Sequence, residues 1–222
     1  MLIPVKPFSE AKSRLAPAMS AAARARLAER LFRHVFAAAA DFVRPGSVIV
    51  LSRSSDILEF ARVQRATGLP EHGKPELNAA LAQAAAHACA EGVSKILVIA
   101  SDLPLLRAAD LALFAELPCA IAPDRHGRGT NALLWPTAPR PGFHFGDGSF
   151  ARHLAEARTC GLDPHIVRSP GLAHDVDLPD DLVGDFSGRF PQSGRAGAAE
   201  PVPHTDEESA PDRFRARGRR GD

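Results

Sequence analysis

Asp102 stands just past an unbroken apolar run, Lys95-Ile96-Leu97-Val98-Ile99, and is followed by Leu103-Pro104. Such a run reads as a strand buried on both faces, as in a parallel sheet. Open α/β sheets bind ligands outside the carboxyl ends of their strands, and Pro104 keeps this strand from extending. One carboxylate fixed there suits a metal ion that serves a nucleotide phosphate. A helix cap is the competing role, because Asp caps well and Ala108-Ala109-Asp110-Leu111 follows. Lys6, Lys12 and Arg14 lie in the loop after Leu2-Ile3-Pro4-Val5. A rigid guanidinium fork and two mobile ammonium groups suit a polyphosphate, although a solvated basic loop has the same composition. Asp175 and Asp177 lie two residues apart on an extended segment. One of them is expected to join Asp102 in a magnesium site, which needs few protein carboxylates plus phosphate oxygens. The other is expected to cap the turn at Pro179.

Two glycine-bearing segments offer softer signals. In Asp124-Arg125-His126-Gly127-Arg128-Gly129-Thr130-Asn131, the glycines let backbone approach a ligand, and Thr130 and Asn131 present polar groups as a strand begins. In Phe145-Gly146-Asp147-Gly148-Ser149-Phe150, two glycines and a serine open a helix. A helix N-terminus with free N–H groups favours a small phosphate or carboxylate; a tight turn with a Ser149 cap is the plainer alternative.

The elements that must position these residues alternate. Strands are expected at 2–5, 47–52, 96–100, 119–123, 131–135 and 165–168. Helices are expected at 20–40, 56–65, 76–91 and 150–160, with a short one from Pro179. Leu27, Leu31, Val35 and Phe36 make an apolar stripe at helical spacing. This alternation implies a single three-layer α/β domain with a mostly parallel sheet over 1–185. From Phe186 to Asp222 the chain turns to Gly, Pro, Ser, Arg and acidic residues. A segment so poor in apolar residues cannot offset its ordering entropy, and a disordered tail is expected.

The chain's 222 residues suffice for one well-buried core, and the net charge of +1 gives no field that favours nucleic acid or an anionic membrane. Three scattered cysteines with no C-x-x-C spacing argue against a disulfide framework and a structural zinc. No apolar stretch approaches a membrane span. Neither G-x-x-x-x-G-K-[ST] nor G-x-G-x-x-G occurs, which removes the P-loop and Rossmann fingerprints. A cytoplasmic setting is expected.

Taken in order, P-V-K-P-x-x-x-A-K-S-R-L, A-S-D-L-P-L-L, A-P-D-R-x-G-x-G-T-N-A-L-L, F-G-D-G-S-F and D-V-D-x-P-x-D-L resemble the CofC family of guanylyltransferases from Met1 to about Leu182. The resemblance implies a nucleotide-diphospho-sugar transferase-like fold, close to that of molybdopterin guanylyltransferase. It implies that GTP and a phosphorylated three-carbon acid give a guanosine-diphospho acid and pyrophosphate. The product would pass to a downstream transferase that builds the deazaflavin coenzyme called factor 420. Phosphoglycerate or phospholactate is expected as acceptor ahead of phosphoenolpyruvate. By the same resemblance Thr130, Gly146 and Ser149 hold the acid, and Asp102 with Asp175 or Asp177 holds Mg2+. Lys6, Lys12 and Arg14 embrace the triphosphate, Lys12, Arg14 and Asp102 acting on the reacting phosphate, and Asn78 lies near the guanine. Here Gly73-Lys74-Pro75-Glu76-Leu77-Asn78 is less glycine-rich than the family pattern, so the base contacts transfer least well. A homodimer is left open. A sister nucleotidyltransferase, a D-x-D glycosyltransferase and a non-catalytic nucleotide binder are the rival readings.

Overall fold

The computed structural model describes residues 1–73 and 76–182. The expected tail, and Lys74 and Pro75, lie outside the described residues. In chain order the elements are β1 (Leu2–Pro4), α1 (Ala21–Phe42), β2 (Ile49–Ser52), α2 (Ser55–Val63), β3 (Thr67–Pro70), α3 (Leu77–Ala90) and β4 (Lys95–Ile99). There follow α4 (Ala108–Ala112), β5 (Ala120–Pro123), β6 (Thr130–Pro136), α5 (Ser149–Thr159), β7 (His165–Ile166) and α6 (Pro170–Ala173). Short 3₁₀ turns occur at Phe8–Glu10, Ser13–Leu15, Pro45–Ser47 and Pro179–Leu182.

Side-chain alternation along β4 shows why there are three layers. Leu97 and Ile99 enter one core with Phe32, Val35 and Phe36 of α1, Ile57 of α2 and Leu111 of α4. Ile96 and Val98 enter the opposite core with Leu81, Ala84 and Ala85 of α3 and Ala157 of α5. A strand whose neighbours cover both faces must be apolar at every position, and four of its five residues are buried. On α1 the expected stripe is the buried face: Leu31, Val35 and Phe36 are 4% exposed or less. Ser20 caps that helix, its Oγ accepting from the Ala23 amide.

The seven strands run in the order β3-β2-β1-β4-β6-β5-β7. β1 pairs in parallel with β2 and with β4, β2 with β3, and β5 with β7. β6 is antiparallel to β4 and β5. The sheet is thus mostly parallel and mixed. From β1 the chain winds outward through β2 and β3, then returns to place β4 on the other side of β1. The strand order reverses between β1 and β4, and their carboxyl-end loops open a crevice at that point. Because β6 runs backward, its first residues lie at the same end. The Ala100 amide donates to Asn131 O at 2.8 Å.

The edge strand β3 was not expected from the sequence, and Gly68 sits there because nothing larger fits. A Cβ at that position would stand 2.7 Å from Leu58 O of α2. Gly68→Ala is expected to cost about 1–3 kcal/mol through this backbone clash. Denaturant unfolding would show it; an unchanged midpoint would mean that α2 yields freely.

Candidate functional site

The crevice is a cleft of about 810 Å³, walled by Lys6 and Lys12 from the β1 loop, Ser101 and Asp102 from the β4 loop, and Asn78, Gly146 and Asp177. Lys12 is its centre. The ammonium bonds Asp102, and Asp177 at 3.2 Å, while only 7% of the side chain is exposed. Its backbone is in the left-handed region, with φ of +58°, at the start of the Ser13–Leu15 turn. A lysine there is strained, and strain of this sort gathers at functional sites. Burial alone would lower the Lys12 pKa; the charges of Asp102 and Asp177 outweigh it and hold the value above 10.5. Arg14 stands at the rim, 3.8 Å from Asp177 and largely exposed.

Asp102 does not cap α4: the Arg107 amide there is met by Asp110 Oδ2 at 2.9 Å. Of the two late carboxylates, Asp177 faces the cleft. Asp175 is turned toward Asn131, whose Nδ2 donates to it at 3.4 Å. Burial first, then the charge of Asp102, raises the Asp175 pKa. Neither Asp175 nor Asp177 caps the Pro179 turn. Asp181 does, accepting from the Asp177 and Leu178 amides at 2.8 and 2.7 Å and pairing with Arg125. That buried clasp fixes the Asp177 backbone at the cleft rim. Asn131 secures the strand before it, donating to Leu172 O at 2.9 Å.

Among the described residues no three His, Cys, Asp or Glu side chains form a ready metal cage. The donor chemistry nonetheless fits a hard divalent cation. Asp102 and Asp177 offer oxygen at the cleft, Asp175 adds a third negative charge nearby, and one buried ammonium does not balance them. The mutual repulsion has a testable sign. Between 3.8 and its raised folded value Asp175 binds more proton in the native state, so stability falls as pH rises through that window. Asp175→Asn is therefore expected to raise the melting temperature of the metal-free protein at neutral pH. A wild type that melts higher than this variant would show that Asp175 is not under electrostatic stress.

The remaining expected residues fall in two places. Gly146 lines the cleft with φ of +119°. Thr130 and Ser149 are not in that lining. They are 7% and 1% exposed, and Ser149 Oγ bonds Thr130 Oγ1 at 3.2 Å. Ser149 is not a cap: Gly148 holds that position in the left-handed region, and Ser149 is the first residue of α5. The free N–H groups expected there are largely committed, since the Ser149 amide donates to Gly146 O and the Phe150 amide to Arg128 O. Asn78 also lines the cleft, but its side chain clasps the Phe145 backbone, accepting at 2.8 Å and donating at 3.2 Å. It thereby fixes the Phe145–Gly146 segment. Arg125, Asn131 and Asp181 lie within motifs quoted above but without the roles found here, and His153 lies in none of them. The i, i+4 spacing of Ser149 and His153 on α5 was the available signal.

A family model described as guanylyl transferase CofC like matches residues 1–186. A phosphoenolpyruvate guanylyltransferase of Sphaerobacter thermophilus is 40% identical over 196 residues, covering 86% of this chain and 93% of that one. A 2-phospho-L-lactate guanylyltransferase of Methanothermobacter thermautotrophicus is 37% identical over 186 residues, covering 82% and 81%. A solved candidate nucleotide-diphospho-sugar transferase from Desulfovibrio desulfuricans G20 superposes with a TM-score of 0.65 at 16% identity, covering 80% and 81%. That last likeness concerns the fold alone. Matched along nearly all of its described length, the chain belongs to the CofC-like guanylyl transferase family and is a nucleotidyltransferase.

Proposed function

We propose that this protein transfers the guanylyl group of GTP to the phosphate of a phosphorylated three-carbon acid and releases pyrophosphate. The observation that carries the reading is Lys12. It draws the β1 loop, the β4 loop and the Asp175–Asp177 segment together around one ammonium group in the switch-point cleft. Phosphoenolpyruvate and 2-phospho-L-lactate head the acceptor list, because the relatives above are named for them. The phosphoglycerate expected from the sequence stays on it as 3-phospho-D-glycerate. The product would feed biosynthesis of the deazaflavin coenzyme factor 420.

The acceptor is a phosphate monoester, so its oxygen is already a competent nucleophile and no strong general base is needed. That oxygen attacks the α-phosphorus, and the bond to the β-phosphate's bridging oxygen breaks. The protein's work is to bring two anions together and meet the charge that develops on the leaving pyrophosphate. Lys6 and Lys12 stand on the cleft wall for this, with Arg14 at its rim. Asp102 and Asp177 would hold Mg2+, which supplies charge neutralisation on phosphate oxygens. Asp175, partly buried and close enough to feel their charge, adds to the field. Asn78 and Gly146 shape the wall where base and acid enter.

As the family resemblance implies, Thr130 and Ser149 would contact the acceptor, next to the cleft whose lining includes Gly146. Thr130→Val and Ser149→Ala are expected to raise the KM for the acid about tenfold or more while that for GTP stays put, since losing a hydrogen bond to a charged group costs about 1.5–3 kcal/mol. Initial rates with each substrate varied in turn would decide. A rise confined to GTP would move the acceptor elsewhere.

The reaction itself is tested by phosphorus-31 NMR of a mixture of GTP, Mg2+ and acid. The reading requires a new pair of diphosphate-diester resonances to grow with pyrophosphate. Conversion of GTP to GDP and phosphate would contradict it.

A further inference from the structure

His153 is wholly buried on α5, with both ring nitrogens bonded. Nε2 accepts from the His144 amide at 2.9 Å. A ring nitrogen that accepts carries no hydrogen, so the one N–H of the neutral imidazole is on Nδ1. Nδ1 lies 3.0 Å from Thr130 Oγ1. His153 therefore donates to Thr130. Trp135 and Phe145 stand edge-on to the ring, at centroid distances of 6.1 and 4.9 Å, and hold its plane. Burial first, then the neighbouring charges of His144 and Arg152, lower its pKa to about 3. The ring is neutral at every pH where the protein would work.

The direction of that bond has a consequence for the hydroxyl pair. Thr130 and Ser149 bring two hydroxyl hydrogens. One joins the pair, from Ser149 Oγ to Thr130 Oγ1. If His153 accepted, the other would be engaged with its ring. Because His153 donates, Thr130 Oγ1 receives two hydrogens and its own hydrogen has no acceptor among the described residues. Thr130 is 7% exposed, and a buried donor is seldom left without a partner.

We propose that His153 is a positioning residue: by donating to Thr130 it keeps one hydroxyl hydrogen of the Thr130–Ser149 pair free for an oxygen of the phospho-acid. This rests on Thr130 and Ser149 belonging to the acceptor site. A carboxylate or phosphate oxygen only accepts, so an oriented donor matches it. A pair whose hydrogens were both engaged would instead face that oxygen with lone pairs.

The test is a double-mutant cycle on the full chain, with His153→Gln, Thr130→Val and their combination. KM is measured for GTP and for phosphoenolpyruvate and 2-phospho-L-lactate. Gln follows the Nε2 arm of the ring and leaves Thr130 without its donor. The expected result is a rise in acid KM of about fivefold to tenfold in His153→Gln, with GTP KM unmoved and with the double variant no worse than Thr130→Val alone. A rise in Thr130→Val with none in His153→Gln, or losses that multiply in the double variant, overturns the role of His153 and leaves the acceptor site standing. An acid KM that neither Thr130→Val nor Ser149→Ala moves overturns both. The unaltered protein gives an independent reading through imidazole nitrogen-15 NMR. His153 is expected as the neutral Nδ1–H tautomer at neutral pH, and an Nε2–H or doubly protonated ring would refute the proposal even if the variants fail to fold.

Discussion

Asp102→Asn is expected to reduce turnover by at least about a hundredfold, the scale on which loss of one preorganised electrostatic group slows an enzyme. The substitution keeps the shape of the side chain and removes its charge. Lys12 would retain Asp177 at 3.2 Å, and α4 would keep its Asp110 cap, so the fold has no reason to change. The loss should therefore appear in kcat, with the melting temperature within a few degrees of wild type. Circular dichroism and pyrophosphate release on one preparation would separate the two effects. An Asp102→Asn protein with near-normal turnover and intact magnesium dependence would remove Asp102 from the reaction.

Lys12→Met should match that loss in rate and add a loss of stability. The buried stem would be retained, while Asp102 and Asp177 would lose the cation that bridges them. Breaking a fully buried pair costs about 3–5 kcal/mol. Water reaches Asp177, which is 46% exposed, so about 1–3 kcal/mol is the better expectation. The pH dependence has a definite sign. Because the folded pKa lies above 10.5, the stabilisation is fully present below 10.5 and is lost as pH rises through the folded value. The gap in melting temperature between wild type and Lys12→Met should thus be flat around neutrality and close only in strong alkali. Mg2+ should stabilise the variant more than the wild type, since the ion would replace the missing charge. Equal stability of the two proteins at neutral pH would mean that Lys12 does not hold the carboxylates together.

The central layer was legible because β4 needs apolar residues on both faces, and Lys95-Ile96-Leu97-Val98-Ile99 can satisfy little else. The edge was not. β3, Thr67-Gly68-Leu69-Pro70, carries a glycine forced by contact with α2 and a proline allowed at a sheet edge, so neither propensity nor periodicity marks it. The reversed direction of β6 had a signal: a connection as short as Asp124–Gly129 joins antiparallel strands, whereas parallel ones need a crossover. In the cleft, Lys6, Lys12 and Asp102 declared themselves by charge in loops that follow strands, whereas the sequence left open which of Asp175 and Asp177 would face it. Asp181, Asn131 and His153 act through partners 3 to 56 residues away that the folded chain brings near. Their types alone say nothing about those partners.

Pyrophosphate release tests the account most directly. Purified protein with GTP and Mg2+ would be given phosphoenolpyruvate, 2-phospho-L-lactate or 3-phospho-D-glycerate in parallel, with CTP in place of GTP as the control for the base. The account predicts release that requires one of these acids and collapses with CTP. Release without any acid, or none with all three despite demonstrable GTP binding, would contradict it.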